Sequence, residues 1–440
     1  MSEGAPPRHR LAVTTGWCVL LFSVAMVCRH AYLRYVGIES QDGGDMGEYI
    51  ALARNLVEGH GFSSDGVTPA TYRPPLFSWL LAAWCWLLGD THIETMVAFQ
   101  VVVQSLTAPL TYLLVRDLQA SHHFAIVSGL FMSAYPYPIS TVSLVLQEPT
   151  QTLFAAGVGL CLAWWWRAPS IPRAVAAGTL LGLCSLAKSP FLIGPPIVLL
   201  IGLGLRHVPR RPPYRLVWLV VAVSAAVVVP WTLRNAHVTG GRFMPINSQN
   251  VTILIWMVAD GHFQPRESPT DPVHAIPAPE RGVGFTYGNE DGVAYLRRQN
   301  ETLLQQGLTG YAVVEGLSAA ARSYLLRHPG YVLRLMFRGA ILSFVPYAVG
   351  PIRGVLAARM AAMVLFHLPL ALGLAASLVR AWREREAVIA MLSLLVMAYL
   401  LAHTTVSMEG GRYALPMFPL MLAVAGYSLF GAGGEPPAEG

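Results

Sequence analysis

The chain has 440 residues, 54% of them hydrophobic and only 12% charged. Soluble domains carry about 25% charged residues, so this composition, with a mean hydropathy of +0.49, excludes an ordinary soluble domain. The net charge of +6 does not point to nucleic acid, because most basic residues lie in short loops between apolar runs, the positive-inside pattern of membrane topology.

Apolar runs long enough to cross a hydrocarbon core of about 30 Å recur from Leu11 onward. Arg8 and Arg10 precede the first, over 11–30, and no small-residue cleavage site follows it. An uncleaved signal anchor is expected there. The first loop, 31–94, is the most informative stretch. From Met46, apolar residues recur at Tyr49, Ile50, Ala53, Leu56 and Val57, with Glu48, Arg54, Asn55 and Glu58 opposite. The spacing predicts an amphipathic helix lying on the membrane surface and ended by Gly59 and Gly61. Asp45 falls at its N-cap, and Glu48 three residues on completes a capping-box pattern. A cap also fixes the carboxylate at the membrane–water boundary, where it can accept a proton from a hydroxyl. In Thr71-Tyr72-Arg73-Pro74-Pro75 the proline keeps Arg73 extended. Such an arginine either snorkels at the interface or grips a phosphate with two donors.

These residues carry a family likeness. Asp45 with Tyr49-x-Ala51, then Glu58-Gly-His-Gly-Phe62, Tyr72-Arg-Pro-Pro75 and an apolar run ending in Leu-Leu-Gly89 resemble the first periplasmic loop of bacterial GT-C glycosyltransferases. That class includes the protein O-mannosyltransferases and the lipid A aminoarabinose transferases. The resemblance implies that Asp45 is the catalytic carboxylate and that Arg73 lies beside the phosphate of the lipid donor, with Tyr49 and Tyr72 lining the substrate site. Met46 stands where the aminoarabinose transferases carry an acid, which argues against that sugar.

Further spans are expected at roughly 95–115, 123–142, 149–166, 174–187, 190–206, 216–232, 355–379, 386–403 and 412–430. Arg116, Arg167, Arg173, the cluster Arg206, Arg210, Arg211 and Arg215, and Arg380, Arg383 and Arg385 then all fall on the cytoplasmic side. Two apolar stretches remain. Leu76–Leu88 is short for a span, and 331–349 carries Arg334 and Arg338, costly at bilayer depth. Both are read as re-entrant or interfacial helices on the outer side. The expected architecture is an all-α polytopic membrane protein, a GT-C-like helical bundle of about 10–12 transmembrane helices with outer-side interfacial helices.

Parity puts the remaining polar turns on that same face. Glu148-Pro-Thr opens one span; an acid there suits the helix dipole. The resemblance makes it the family's second acidic residue, with an acceptor-orienting or metal-ligating role. Lys188 is the sole lysine of the chain and sits in a turn between two apolar segments. It marks a helix end or supplies a point charge for a phosphate; the family has a basic residue in this turn. Arg234, in Pro230-Trp-Thr-Leu-Arg-Asn235, is a flanking anchor or a substrate contact. The loop that follows is rich in proline over 265–279 and predicted helical from Asp291 to Gln306, and Asp260 and His262 read as ordinary loop polar residues. Gly410-Gly-Arg412-Tyr413 matches the family's late Arg-Tyr pair, and Arg412 on the outer side runs against the positive-inside trend.

The expected organisation is an N-terminal membrane module, 1–232, with its catalytic loop 31–94; a large periplasmic region, 233–354, acting as lid or acceptor site; C-terminal transmembrane helices, 355–430; and a disordered tail, 431–440. The five cysteines form no CxxC pair or metal spacing and read as buried apolar residues. A divalent cation is the one cofactor left open, since a single acid does not make a metal site. The resemblance implies transfer of a sugar from a polyprenyl-phosphate donor to a hydroxyl of an envelope lipid, glycan or protein, with inversion, in the inner membrane and with no role for nucleic acid. Asp45 would be the base, Glu148 its helper, and Arg73, Lys188 and Arg412 the groups around the phosphate. A lipid or sugar transporter is the alternative, and would need ionisable residues spread along a mid-span path. An envelope assembly subunit is another, whose polar turns need not converge.

Overall fold

A backbone crossing lipid must satisfy its own hydrogen bonds, and helices do this within one segment. The computed structural model describes residues 7–38, 44–118, 121–204, 211–247, 249–260, 289–308, 311–345, 360–404 and 410–430. Arg206, Arg210, His262, the proline-rich run 265–279 and the tail 431–440 lie outside the described residues. Among the described residues the structure is helical throughout, with one isolated bridge between Ser63 and Pro69. The expected all-α polytopic bundle is what forms.

In chain order the helices are α1 (Pro7–Val36), α2 (Gly44–Val57), α3 (Pro75–Leu88), α4 (Ile93–Asp117), α5 (His122–Ala134), α6 (Pro136–Ser140), α7 (Glu148–Arg167), α8 (Ile171–Ala187), α9 (Gly194–Gly204), α10 (Tyr214–Val238), α11 (Gln249–Ala259), α12 (Glu290–Gln305), α13 (Tyr311–Arg327), α14 (Pro329–Leu342), α15 (Leu368–Glu384), α16 (Ala387–Thr404), α17 (Gly410–Ala414) and α18 (Phe418–Phe430). Among the described residues, Leu11–Val36, Ile93–Asp117, Tyr214–Val238, Met360–Glu384 and Arg412–Phe430 are long and apolar enough to cross a membrane. The apolar helices α3, α8, Ser189–Gly204 and Ala387–His403 are shorter. With 14 residues, α3 is about 21 Å long, short of the hydrocarbon thickness.

One expected span is broken. The segment 123–142 forms α5, stops at the extended residue Tyr135, and restarts as the short α6. Pro136 has no N–H to offer the carbonyl four residues back, and a second proline follows at 138. The carbonyls so released are used. Arg29 of α1, fully buried, donates to the carbonyls of Met132 (3.1 Å), Ser133 (3.0 Å) and Ala25 (3.0 Å), and through Nε to Gln104 of α4 (2.7 Å). A buried arginine thus caps the C-terminal end of α5, where the helix dipole favours a cation, and joins three helices.

Helix α8 packs closely on α10. Gly178 and Gly182 are four apart and face the partner, and a Cβ at Gly178 would come within 2.6 Å of the Val220 carbonyl and 2.9 Å of the Val223 Cβ. Small residues at this spacing let membrane helices meet backbone to backbone. Gly178→Ala is expected to lower stability by about 1–3 kcal/mol, read as an earlier thermal unfolding midpoint in detergent; an unchanged midpoint would mean that the helices slide apart at little cost.

Helices α11 to α14 form a lobe with its own core, built on Ile255, Val258, Val293, Leu296, Val313, Leu317, Ala321 and Leu335, and Tyr72 of the first loop packs against it. Within it Asp260, expected to be an ordinary loop residue, is buried and accepts from Arg338 of α14. The helix expected over 331–349 runs instead over Pro329–Leu342; residues 346–359 lie outside the described residues.

Candidate active site

The ends of α7, α8, α10 and α17 meet α2 and α3 at one end of the bundle. Asp45 and Glu48 lie in the first two turns of α2, three residues apart and hence on one face. The helix begins at Gly44, so Asp45 is inside the first turn rather than at the cap, and both acids turn to guanidinium groups. Arg73 precedes Pro74, the extended N-cap of α3, and this holds it clear of any helix. Glu148 opens α7 with Pro149 beside it. Arg412 lies in α17, at the start of the last span.

These four elements deliver one continuous chain of alternating charge. Arg73 donates through Nε to Glu48 and through Nη2 to Asp45 Oδ1 at 2.6 Å. Arg412 donates through Nη2 to Asp45 Oδ2 at 2.8 Å and through Nε to Glu148 Oε1 at 2.7 Å. The order is therefore Glu48–Arg73–Asp45–Arg412–Glu148. Exposure differs along it: the Arg73, Arg412 and Glu148 side chains are 4%, 6% and 2% exposed, whereas Asp45 and Glu48 keep 29% and 33%. Asp45 and Glu48 form the rim of the network and Glu148 its floor. Beneath Glu148 is a small cavity that Arg29, Gln104, Thr141 and Thr152 also line.

The surroundings fix the charges. Arg73 lies over the rings of Tyr49 (5.1 Å) and Tyr72 (4.9 Å), two cation–π contacts on a desolvated guanidinium. Burial alone would raise the Asp45 carboxyl, but the guanidinium groups of Arg73 and Arg412 outweigh it and hold the group far below the usual carboxylate range. Burial likewise works against charge on Arg73; the Asp45 carboxylate outweighs it and keeps the arginine protonated. The Tyr49 hydroxyl is pushed well up by burial, and stays protonated.

Lys188, extended at the end of α8, sits with Nζ 4.3 Å from the Tyr413 ring centroid, next in sequence to Arg412. Tyr413 in turn stacks on His403 at 4.9 Å, whose Nδ1–H donates to the Tyr399 carbonyl. Arg234 is used differently. It donates to the carbonyls of Ala70 (2.5 Å) and Phe62 (3.3 Å) and lies over Trp231 at 4.7 Å. Its guanidinium latches the first loop down on α10, with Asn247 holding the Tyr72 carbonyl nearby (3.1 Å). Of the residues picked from sequence, Asp45, Arg73, Glu148 and Arg412 are joined directly, Tyr49, Tyr72 and Lys188 flank them, and Arg234 stands apart. Glu48 is the member that sequence reasoning assigned to a cap; its i+3 spacing from Asp45 was the available signal.

The donor set suits a cation poorly. Hard divalent ions take about six or more oxygens, yet both Asp45 oxygens and Glu148 Oε1 are already bonded to guanidinium groups. Among the described residues no cluster of three or more His, Cys, Asp and Glu side chains could hold a metal.

No protein-family model matches the sequence, and no curated protein does. Solved structures do match. The oligosaccharyltransferase of Archaeoglobus fulgidus in complex with zinc and sulfate superposes with a TM-score of 0.53 at 12% identity, over 94% of this chain and 49% of that one. The same enzyme, AglB, with an inhibitory peptide and a dolichol-phosphate gives 0.51 at 12% identity, over 94% and 50%. ArnT of Cupriavidus metallidurans bound to undecaprenyl phosphate gives 0.41 at 17% identity, over 95% and 78%. The chain spans about half the length of the archaeal enzyme it matches. A likeness of this kind establishes architecture, and the architecture is that of the GT-C membrane bundle, the fold of the archaeal oligosaccharyltransferase.

Proposed function

We propose that this chain is a glycosyltransferase that moves a sugar from a polyprenyl-phosphate carrier to a hydroxyl of an envelope lipid, glycan or protein, with inversion, at the periplasmic or extracellular face of the inner membrane. The observation that carries the reading is the convergence of Asp45, Arg73, Arg412 and Glu148 in one hydrogen-bonded network, with Lys188 beside Tyr413 next to it. Residues spread along a transport path would not interlock in this way. The archaeal enzyme of the same fold is one whose structure holds a dolichol-phosphate.

A sugar on a polyprenyl phosphate has a good leaving group, so the chemistry needs a base and a cationic cradle and no strong acid. The acceptor oxygen attacks the anomeric carbon as its proton passes to Asp45, and the bond from that carbon to the phosphate oxygen breaks. The departing phosphate gathers charge against Arg73, Arg412 and Lys188. Displacement on the face opposite the leaving group inverts the centre. Tyr49 and Tyr72 hold Arg73 in plane, and Glu148 holds Arg412.

The test is a transfer assay on the purified protein in lipid nanodiscs, with a panel of polyprenyl-phosphate sugars and envelope acceptors, reading release of polyprenyl phosphate. Release that depends on acceptor supports the proposal; a protein that moves the lipid across the bilayer and never cleaves it sinks it. Lys188→Gln keeps a polar side chain, one atom shorter, and removes its charge. It is expected to lower kcat/KM by roughly 10- to 100-fold, with steady-state kinetics showing most of the loss in kcat if the ammonium acts on the departing phosphate.

A further inference from the structure

Asp45 occupies the place in this site that an anion would take. Its two oxygens receive one Nη2–H each from Arg73 and Arg412, at 2.6 and 2.8 Å, so two guanidinium groups from chain positions 339 residues apart converge on a single carboxylate. Each arginine is independently anchored from behind through its Nε, Arg73 by Glu48 and Arg412 by Glu148. The two Nη2 donors therefore form a preset cradle, and the arginines that supply them are almost wholly buried while the carboxylate resting in it is the more exposed group.

We propose that the donor's phosphate binds by exchanging for the Asp45 carboxylate in the Arg73–Arg412 cradle, so that Asp45 is released to act as base only when a lipid phosphate is seated. This rests on the reading of the site as a lipid-phosphate sugar transferase. A guanidinium fork fits carboxylate and phosphate oxygens alike. The donor's phosphodiester presents, like a carboxylate, two oxygens sharing one negative charge, gains further charge as the sugar departs, and leaves the rear contacts to Glu48 and Glu148 intact. With its two guanidinium partners transferred, Asp45 loses the interactions that hold its carboxyl so far below the usual range. The other groups near it are Glu48 and Tyr49 on its own helix and Glu148 on α7, which shares Arg412 with it. Asp45 thus serves the empty site as a built-in competitor of the donor and the loaded site as its base.

The two ideas predict opposite signs for one measurement. Asp45→Asn and Asp45→Ala proteins in nanodiscs are titrated with undecaprenyl phosphate and, separately, with inorganic phosphate, following intrinsic tryptophan fluorescence. Removing the competing carboxylate is expected to tighten undecaprenyl phosphate binding by about tenfold in both variants, the scale of one charge-assisted hydrogen bond. Unchanged or weaker binding in either variant would show that Asp45 only holds the arginines in place, and would overturn the exchange while leaving the transfer reaction to its own assay. Tightening for inorganic phosphate alone would overturn the assignment of the cradle to a lipid phosphate.

Discussion

Asp45→Ala is expected to lower sugar transfer by roughly 100- to 10,000-fold, the range of a positioned general base, in a protein that still inserts and folds. The fold should survive because the variant strands no charge: Arg73 keeps Glu48 and Arg412 keeps Glu148. What is lost is the ionised carboxylate's own contribution. A carboxyl held below its ordinary value favours the folded state above the unfolded value, about 3.9, and gives that up only as the pH falls toward the folded one. The variant should accordingly be less acid-sensitive below about pH 4 and slightly less stable at neutral pH. Single-turnover assays with saturating donor isolate the chemical step, and wild-type rates there would remove Asp45 from its role.

Arg412→Leu has a different signature. Glu148 is 2% exposed and receives Arg412 Nε on one oxygen, while its other oxygen has no hydrogen-bond partner among the described residues. Taking the guanidinium away leaves a buried carboxylate with its main compensation gone, and breaking such a pair from one side costs about 3–5 kcal/mol. The expected result is a much earlier unfolding midpoint in detergent together with lost transfer. Adding Glu148→Gln to Arg412→Leu should restore most of the stability and none of the activity, because the stranded charge is gone and the cradle with it. Arg412→Lys should fold better than the leucine variant and remain poorly active, since a compact ammonium cannot reach Asp45 and Glu148 in two directions at once. A leucine variant as stable as the wild type would show that Glu148 is not buried as a charge.

The helical bundle could be read from hydropathy and charge parity because lipid leaves a chain few options. Amphipathic spacing similarly delimited α2, and the lobe helix expected from Asp291 to Gln306 begins and ends within a residue of α12. The break after α5 was missed because 123–142 is apolar throughout; Pro136 and Pro138 were the warning, and backbone chemistry outranks hydropathy there. At the site, parity could give a shared face for Asp45, Glu148 and Arg412 but no contact, since the hydrogen bonds joining them span 264 and 367 residues. Arg234 carried the same charge and the same expected side as Arg73, and only the fold shows its donors turned to the carbonyls of Phe62 and Ala70. Glu48 was assigned to a cap from a pattern that local sequence satisfies equally well.

Arg29 could not be interpreted from sequence at all, because its acceptors are carbonyls that exist only where α5 stops short. That dependence sets an order of events during synthesis. Helix α1 leaves the ribosome with a cation seven residues short of its C-terminal end, a burden that reaches about 2.5–3.5 kcal/mol when such a group lies at the centre of a membrane helix. Gln104 follows 75 residues later, and the ends released at Met132 and Ser133 follow after 103 and 104. Until then the helix must keep that residue near water or against the insertion machinery, and it settles to its final depth only when α5 arrives. The α1 span is completed by its neighbours rather than by its own sequence.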